Sequence, residues 1–231
     1  MLSILVKKIL CPTKLQAARR RFGGQPVKVL DVGCGSRSFE ITKYWLNVQE
    51  YVGVDREYWQ GDKVGYEGID RMIFVDLDVN PTLTEIEDGY FDLIILNHVI
   101  EHLRNGEALL AQLYFKLSPG GMIYIETPDI ATINYPSAIG FMNFYDDPTH
   151  RRVYEIRSLV CEMMRIGFIV DHFGRRRDWR RLMILSLPML AFNLFFSLPF
   201  RQRLDARGLW DLFGIASFLI ATKAKAYRPK S

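Results

Sequence analysis

Cysteine is scarce in this chain. Its three cysteines, Cys11, Cys34 and Cys161, are odd in number and far apart, with no C-x-x-C pair. That excludes a disulfide framework and a cysteine-built zinc site, and it fits a reducing compartment. Histidine is almost as rare, four among 231 residues. There is no internal repeat and no low-complexity tract. Hydrophobic residues at 49% and charged residues at 24% exclude a disordered or collagen-like chain. The opening MLSILVKK has its apolar run before its lysines and no small-residue cleavage site, so it does not read as a signal peptide.

The net charge of +4 conceals a strong polarity. Residues 1–21 carry six basic groups and no acid, residues 22–174 carry 12 basic and 23 acidic groups, and residues 175–231 carry 12 basic and 3 acidic groups. An acidic body between basic ends seeks anionic partners at those ends, lipid head groups or nucleic acid.

Residues 1–22 read as a basic amphipathic helix interrupted at Pro12, with Leu2, Leu5, Ile9 and Leu10 near one face. From residue 23 onward short apolar runs alternate with helical stretches. Strands are expected at 27–32, 51–55, 72–76, 91–97, 122–127, 168–173 and 214–226. Helices are expected at 38–47, 105–117 and 155–165, and SPGG at 118–121 reads as a turn. The pattern predicts an α/β fold, a parallel sheet with helices on both faces.

One segment breaks it. Leu182 to Phe200 holds 19 residues without a charge, with Arg175, Arg176, Arg177, Arg180 and Arg181 before it and Arg201, Arg203 and Arg207 after it. Pro188 and Pro199 leave only about 16 Å of helix between them, half a bilayer core. Arginines on both flanks favour both ends staying cytoplasmic, so residues 178–210 read as a surface-lying or re-entrant membrane insertion. A buried helical insertion or a dimer interface is the competing reading.

Leu30-Asp31-Val32-Gly33-Cys34-Gly35 combines a strand, a tight glycine turn and the start of a helix. Glycines let the backbone approach a ligand, and the carboxyl end of the strands is where open α/β sheets bind. Asp55 ends the second strand, 24 residues after Asp31, where a carboxylate can accept from both ribose hydroxyls. Asp76, at the end of the third, is placed to meet an adenine edge, with Asp78 as its alternative.

D-x-G-C-G (31–35), Y-x-G-V-D (51–55), F-D-x-I (91–94), H-x-x-E-H-L (98–103) and L-x-P-G-G (117–121) follow in order. Together they resemble the class I S-adenosylmethionine-dependent methyltransferases, closest to a bacterial branch often associated with glycan or lipid modification. The likeness covers roughly residues 27–173. It implies a Rossmann-like seven-stranded sheet in the order 3-2-1-4-5-7-6 with strand seven antiparallel. It implies S-adenosylmethionine as cofactor, held by Asp31, Gly33, Gly35, Asp55, Asp76, Leu77 and Asn97. Two departures stand out: Arg37 where a third glycine is frequent, and Ser118 where lysine is usual.

His98, Glu101, His102 and His150 gather three of the four histidines. His98 and His102 are i, i+4 on the turn leaving strand four, and His150 lies in Tyr145-Asp-Asp-Pro-Thr-His-Arg-Arg152, a stretch that covers the substrate mouth in the resembling family. Three readings fit these residues. His98 or His150 is a general base for an acceptor hydroxyl. The four bind a divalent metal, as in some related RNA 2′-O-methyltransferases, although the usual first glutamate is His98 here, and no metal is expected. Or Glu101 and His102 cap and pack the turn. The expected activity is O-methylation of a lipid-linked or cell-surface saccharide or a lipid head group, on the inner face of the cell membrane. An RNA methyltransferase using its basic ends on phosphates is the alternative. Against it, the basic residues interleave with apolar runs rather than with spaced aromatics. The D/N-P-P-Y/W signature of amino-group methyltransferases is absent where the chain reads Asn97-His98-Val99-Ile100.

Overall fold

The computed structural model describes residues 11–58, 64–137, 143–177, 179, 182–188 and 214–225. Its elements are α1 (Thr13–Phe22), β1 (Val27–Val32), α2 (Ser38–Trp45), β2 (Val48–Asp55), β3 (Arg71–Phe74), β4 (Phe91–Asn97), α3 (Gly106–Lys116), β5 (Leu117–Pro128), α4 (Ile156–Ile166), β6 (Ile169–Arg175) and β7 (Ala216–Thr222). The seven strands form one sheet in the order β3-β2-β1-β4-β5-β7-β6. All pairs are parallel except those of β7, which runs antiparallel to both β5 and β6.

The central strands explain the layering. On β4, Leu93 and Ile95 point into one core with Leu15 and Ala18 of α1 and Phe39 and Ile41 of α2. Ile94 and Leu96 point into the other, with Leu109, Leu110 and Leu113 of α3 and Leu159 and Met163 of α4. A strand buried on both faces has no room for alternation, hence the unbroken apolar run. Each such side chain contributes about 1.5–3 kcal/mol on leaving water. Caps set the helix ends: Asn105 accepts from the Ala108 N–H at the start of α3, and Gly167, at φ 116°, closes α4.

Several boundaries differ from the sequence reading. Helix α1 begins only after Pro12, which lacks the N–H that a helix interior needs; the expected helical residues 1–10 lie outside the described residues. Helix α2 ends at Trp45, two residues early, and β2 starts at Val48. The SPGG turn is drawn into β5, where Gly120 at φ 83° and a register shift against β4 absorb the bend. Strand β3 stops at Phe74, so Asp76 lies beyond it. There the Asp76 carbonyl accepts from the Val79 and Asn80 N–H groups, turning the chain. Of the charge-free run, residues 182–188 are described and the rest lies outside the described residues. Among the described residues no helix is long and apolar enough to cross a membrane.

Candidate active site

The order reversal between β1 and β4 opens a crevice at the carboxyl edge, and the loops after β1, β2, β3 and β4 converge there. Gly33 and Gly35 adopt left-handed conformations, φ 67° and 52°. Nothing lies within 4 Å of where a Gly35 Cβ would stand, which leaves an open cradle. Arg37, in place of the frequent third glycine, takes that conformation itself at φ 68°, with its side chain exposed.

Asp55 ends β2 with Oδ2 accepting from the Gly35 N–H at 2.9 Å and Oδ1 from the Arg56 N–H at 2.8 Å. Each oxygen retains a lone pair for a further donor. Asp31 sits beneath the loop, buried, accepting through Oδ2 from the hydroxyls of Ser38 and Tyr51. It braces the glycine turn from below. Burial, with Asp31 beside it, holds the Tyr51 phenol well above its usual range. Burial likewise pushes the Cys34 thiol up, an inert neighbour.

Asp76 is exposed, and its Oδ1 accepts from the Asp78 N–H at 3.0 Å. The alternative, Asp78, is engaged elsewhere: it accepts from the Arg104 N–H at 2.7 Å and ion-pairs with Arg104 and Arg151. Leu77 packs against the core beside β3, and Asn97 is half-buried at the end of β4.

His98, the next residue, has φ 56°. A side chain in this left-handed region costs about 1–2 kcal/mol, a strain that persists only when surroundings over-determine it. Its Nδ1 lies 3.0 Å from Glu101 Oε1 and its Nε2 3.3 Å from Glu126 Oε1. Burial alone would push the imidazole down; the two carboxylates outweigh it and bring it up to about 10. Burial also opposes the Glu126 anion, but Arg176 Nε at 2.9 Å, with His98, takes that carboxyl down to about 2. A base was expected at His98 or His150; the two carboxylates on the His98 ring favour its protonated form, which points to His150 of the two.

The other two histidines are arranged differently. His150 Nδ1 lies 2.6 Å from the Phe144 carbonyl oxygen, so Nδ1 carries a hydrogen, and its Nε2 faces Asp147 Oδ2 at 3.8 Å. The Thr149 hydroxyl donates to Asp147 at 2.5 Å; its 2.9 Å contact with His102 Nδ1 must then be an N–H donated to Oγ1. The two rings stand 4.8 Å apart. Glu101, fully buried, holds the loop: its carbonyl accepts from the Arg151 and Arg152 N–H groups at 2.8 and 3.1 Å, and Thr127 donates to its Oε2. Glu101, His102 and His150 each offer a donor atom within 4.8 Å of one another. Two imidazoles and a carboxylate suit a proton or a divalent cation.

Sequence reading missed Glu126, Arg176, Thr149 and the Phe144 carbonyl. Only Glu126 left a local trace, as an acid at the end of the apolar run MIYIE.

A methyltransferase-domain family model matches residues 8–172 of the chain. The chain belongs to the methyltransferase family. None of the curated proteins matches it. Solved structures similar to this methyltransferase include a SAM-dependent methyltransferase from Archaeoglobus fulgidus, 21% identical with TM-score 0.53, covering 96% of this chain and 99% of that one. Another, from Mesorhizobium loti, is 16% identical with TM-score 0.62, covering 90% and 95%. A third is Haemonchus contortus phosphoethanolamine N-methyltransferase 2 in complex with S-adenosyl-L-methionine, 18% identical with TM-score 0.56, covering 92% of this chain and 52% of that one. The methyltransferase is S-adenosylmethionine-dependent, and its carboxyl edge fits that cofactor: an open glycine cradle, a carboxylate with free lone pairs on β2, and an exposed carboxylate beyond β3.

Proposed function

We propose that this methyltransferase methylates an oxygen of a lipid-linked or cell-surface saccharide or of a lipid head group, at the cytoplasmic face of the cell membrane. Bound S-adenosylmethionine supplies a methyl group on a positively charged sulfur. Asp55 and Asp76 hold its nucleoside, Asp31 acts from beneath through the Gly33–Gly35 turn, and Leu77 and Asn97 complete the lining. His150 accepts the acceptor's proton at Nε2, with His102 and Glu101 beside it. His98, already protonated, contributes fixed charge and shape.

The observation that carries the oxygen acceptor is the grouping of two imidazoles with one buried carboxylate beside the end of β4, His150 Nε2 facing the Asp147 carboxylate at 3.8 Å. An oxygen nucleophile needs a base near neutral pH, and such a nitrogen meets that need. The membrane reading is supported by exposed Met183, Ile184 and Leu187 at the start of the charge-free run, with exposed Trp179 among the arginines that precede it. Apolar side chains entering a leaflet and arginines meeting anionic head groups give additive attraction.

The test incubates the full chain with methyl-labelled S-adenosylmethionine and the total lipid, polysaccharide and RNA fractions of its host. Label in lipid or polysaccharide is expected; label confined to RNA overturns the reading and favours phosphate recognition by the basic ends. For the membrane, flotation with phosphatidylglycerol vesicles should carry the protein upward. High salt should loosen only part of the binding, and replacing Met183, Ile184 and Leu187 by Ser should abolish it. Failure of the unmodified chain to float excludes the anchor.

A further inference from the structure

Glu126 holds His98 twice. Its carbonyl accepts the His98 backbone N–H at 2.8 Å, and its Oε1 stands 3.3 Å from His98 Nε2. With Glu101 on the other ring nitrogen, these contacts keep His98 in its left-handed conformation. Glu126 is itself held: Tyr124 donates to Oε2 at 2.5 Å, and Arg176 Nε lies 2.9 Å from Oε1. The Glu126 and Arg176 side chains are 8% and 11% exposed.

Arg176 belongs to a clamp. It follows β6 directly and donates its N–H to the Ala216 carbonyl at 2.7 Å, while Arg175 pairs with Asp129 at 2.6 Å. Asp129 also donates its N–H to Ile215 and accepts the Ser217 hydroxyl. Arg177 packs on Gly214, where a Cβ would come within 3.1 Å of its Nε. The chain leaves for the charge-free segment after Arg177 and re-enters the sheet at Gly214. Arg177 and Gly214 therefore meet beside the carboxyl end of β5, where Arg176 reaches His98 through Glu126.

A buried ion pair is poor evidence for stability, because desolvation offsets most of its attraction; its better-attested use is to select one arrangement. We propose that Glu126 and Arg176 are positioning residues of the methyl-transfer site, fixing His98 at the cleft and tying it to the root of the charge-free segment. The tie runs onward through Glu101, whose carbonyl holds the loop that carries His150. A shift of the root thus reaches the acceptor side through Glu101, whose carboxylate meets His98 and whose carbonyl holds the loop.

Four histidines make the test direct. The full-length protein is labelled at its histidine ring carbons and each signal is assigned by substitution. Spectra at neutral pH are compared for the unmodified chain, Arg176→Gln, Arg176→Lys and Glu126→Gln. His98 signals should move in Arg176→Gln and in Glu126→Gln, and Arg176→Lys should restore them. His172, on β6, should stay in place, showing that the strand has not shifted. S-adenosylmethionine affinity should be retained, since Asp55 and the glycine turn are untouched. An unmoved His98 signal in the two glutamine variants overturns the proposal. Joint movement of His172 and His98, or failure of both glutamine variants to fold, also overturns it and makes the pair a plain structural support. No acceptor is used, so this outcome is separate from that of the acceptor reading.

Discussion

The side chain of Val99 closes over Gly33: a Cβ added to Gly33 would stand 2.3 Å from Val99 Cγ2. The first residue past His98 thereby dictates a glycine in the loop after β1, and the β1 and β4 ends of the cleft are built as one unit. Gly33 also has φ 67°. Gly33→Ala should cost about 1–2 kcal/mol in backbone strain and about 1–3 kcal/mol in overpacking. It should weaken S-adenosylmethionine binding as well. Adding Val99→Ala should recover part of the second loss, with a coupling of at least about 0.5 kcal/mol. Urea denaturation of the two single variants and the double variant measures this; strict additivity excludes the contact.

Asp55 has two duties. It orders the turn through the Gly35 N–H and keeps lone pairs for ribose hydroxyls. Hydrogen bonds to a charged acceptor contribute about 1.5–3 kcal/mol each. Asp55→Ala should therefore weaken S-adenosylmethionine at least about tenfold while the protein stays folded. Titration calorimetry on both forms decides it, and unchanged affinity removes Asp55 from the cofactor site.

The histidines should separate by role. His150→Ala should lower turnover by about 10²–10⁴ with cofactor affinity intact, as expected for loss of a general base. Turnover should persist in EDTA. Loss in EDTA with recovery on Mn²⁺ would assign the Glu101, His102 and His150 grouping to a cation. The assay follows labelled methyl transfer to whichever host fraction accepts it.

Stability should bend at both ends of the pH scale. The Glu126 carboxyl, at about 2 in the folded chain against 4.5 ordinarily, contributes stability that is present above about 4.5 and lost as pH falls toward 2. The His98 imidazole, at about 10 against 6.5, contributes stability that is full below about 6.5 and lost as pH rises through 10. The gap in denaturation midpoint between the unmodified chain and Glu126→Gln should narrow on the acid side. The gap to His98→Asn should narrow on the alkaline side. Gaps that stay constant with pH would show that neither group is held as described.

The amino-acid sequence by itself determined the architecture. Unbroken apolar strands, amphipathic helices, Asn105 and Gly167 at helix ends and the glycine turn after β1 are local signals, each readable within a few residues; the sheet order came from the likeness of the ordered motifs to the class I methyltransferases. The aspartate at the end of β2 was legible for the same reason. The charges that surround His98 were decided only by the tertiary structure. The sequence suggested a base at His98 or His150, yet the His98 partner Glu126 comes from the neighbouring strand β5. Glu126 is in turn neutralised by Arg176, 50 residues further along. His102 and His150 meet only because a loop folds back on the Glu101 carbonyl. Whether an imidazole holds or accepts a proton depends on burial and on which charges stand within a few ångströms, and those distances exist only once distant strands have been laid side by side.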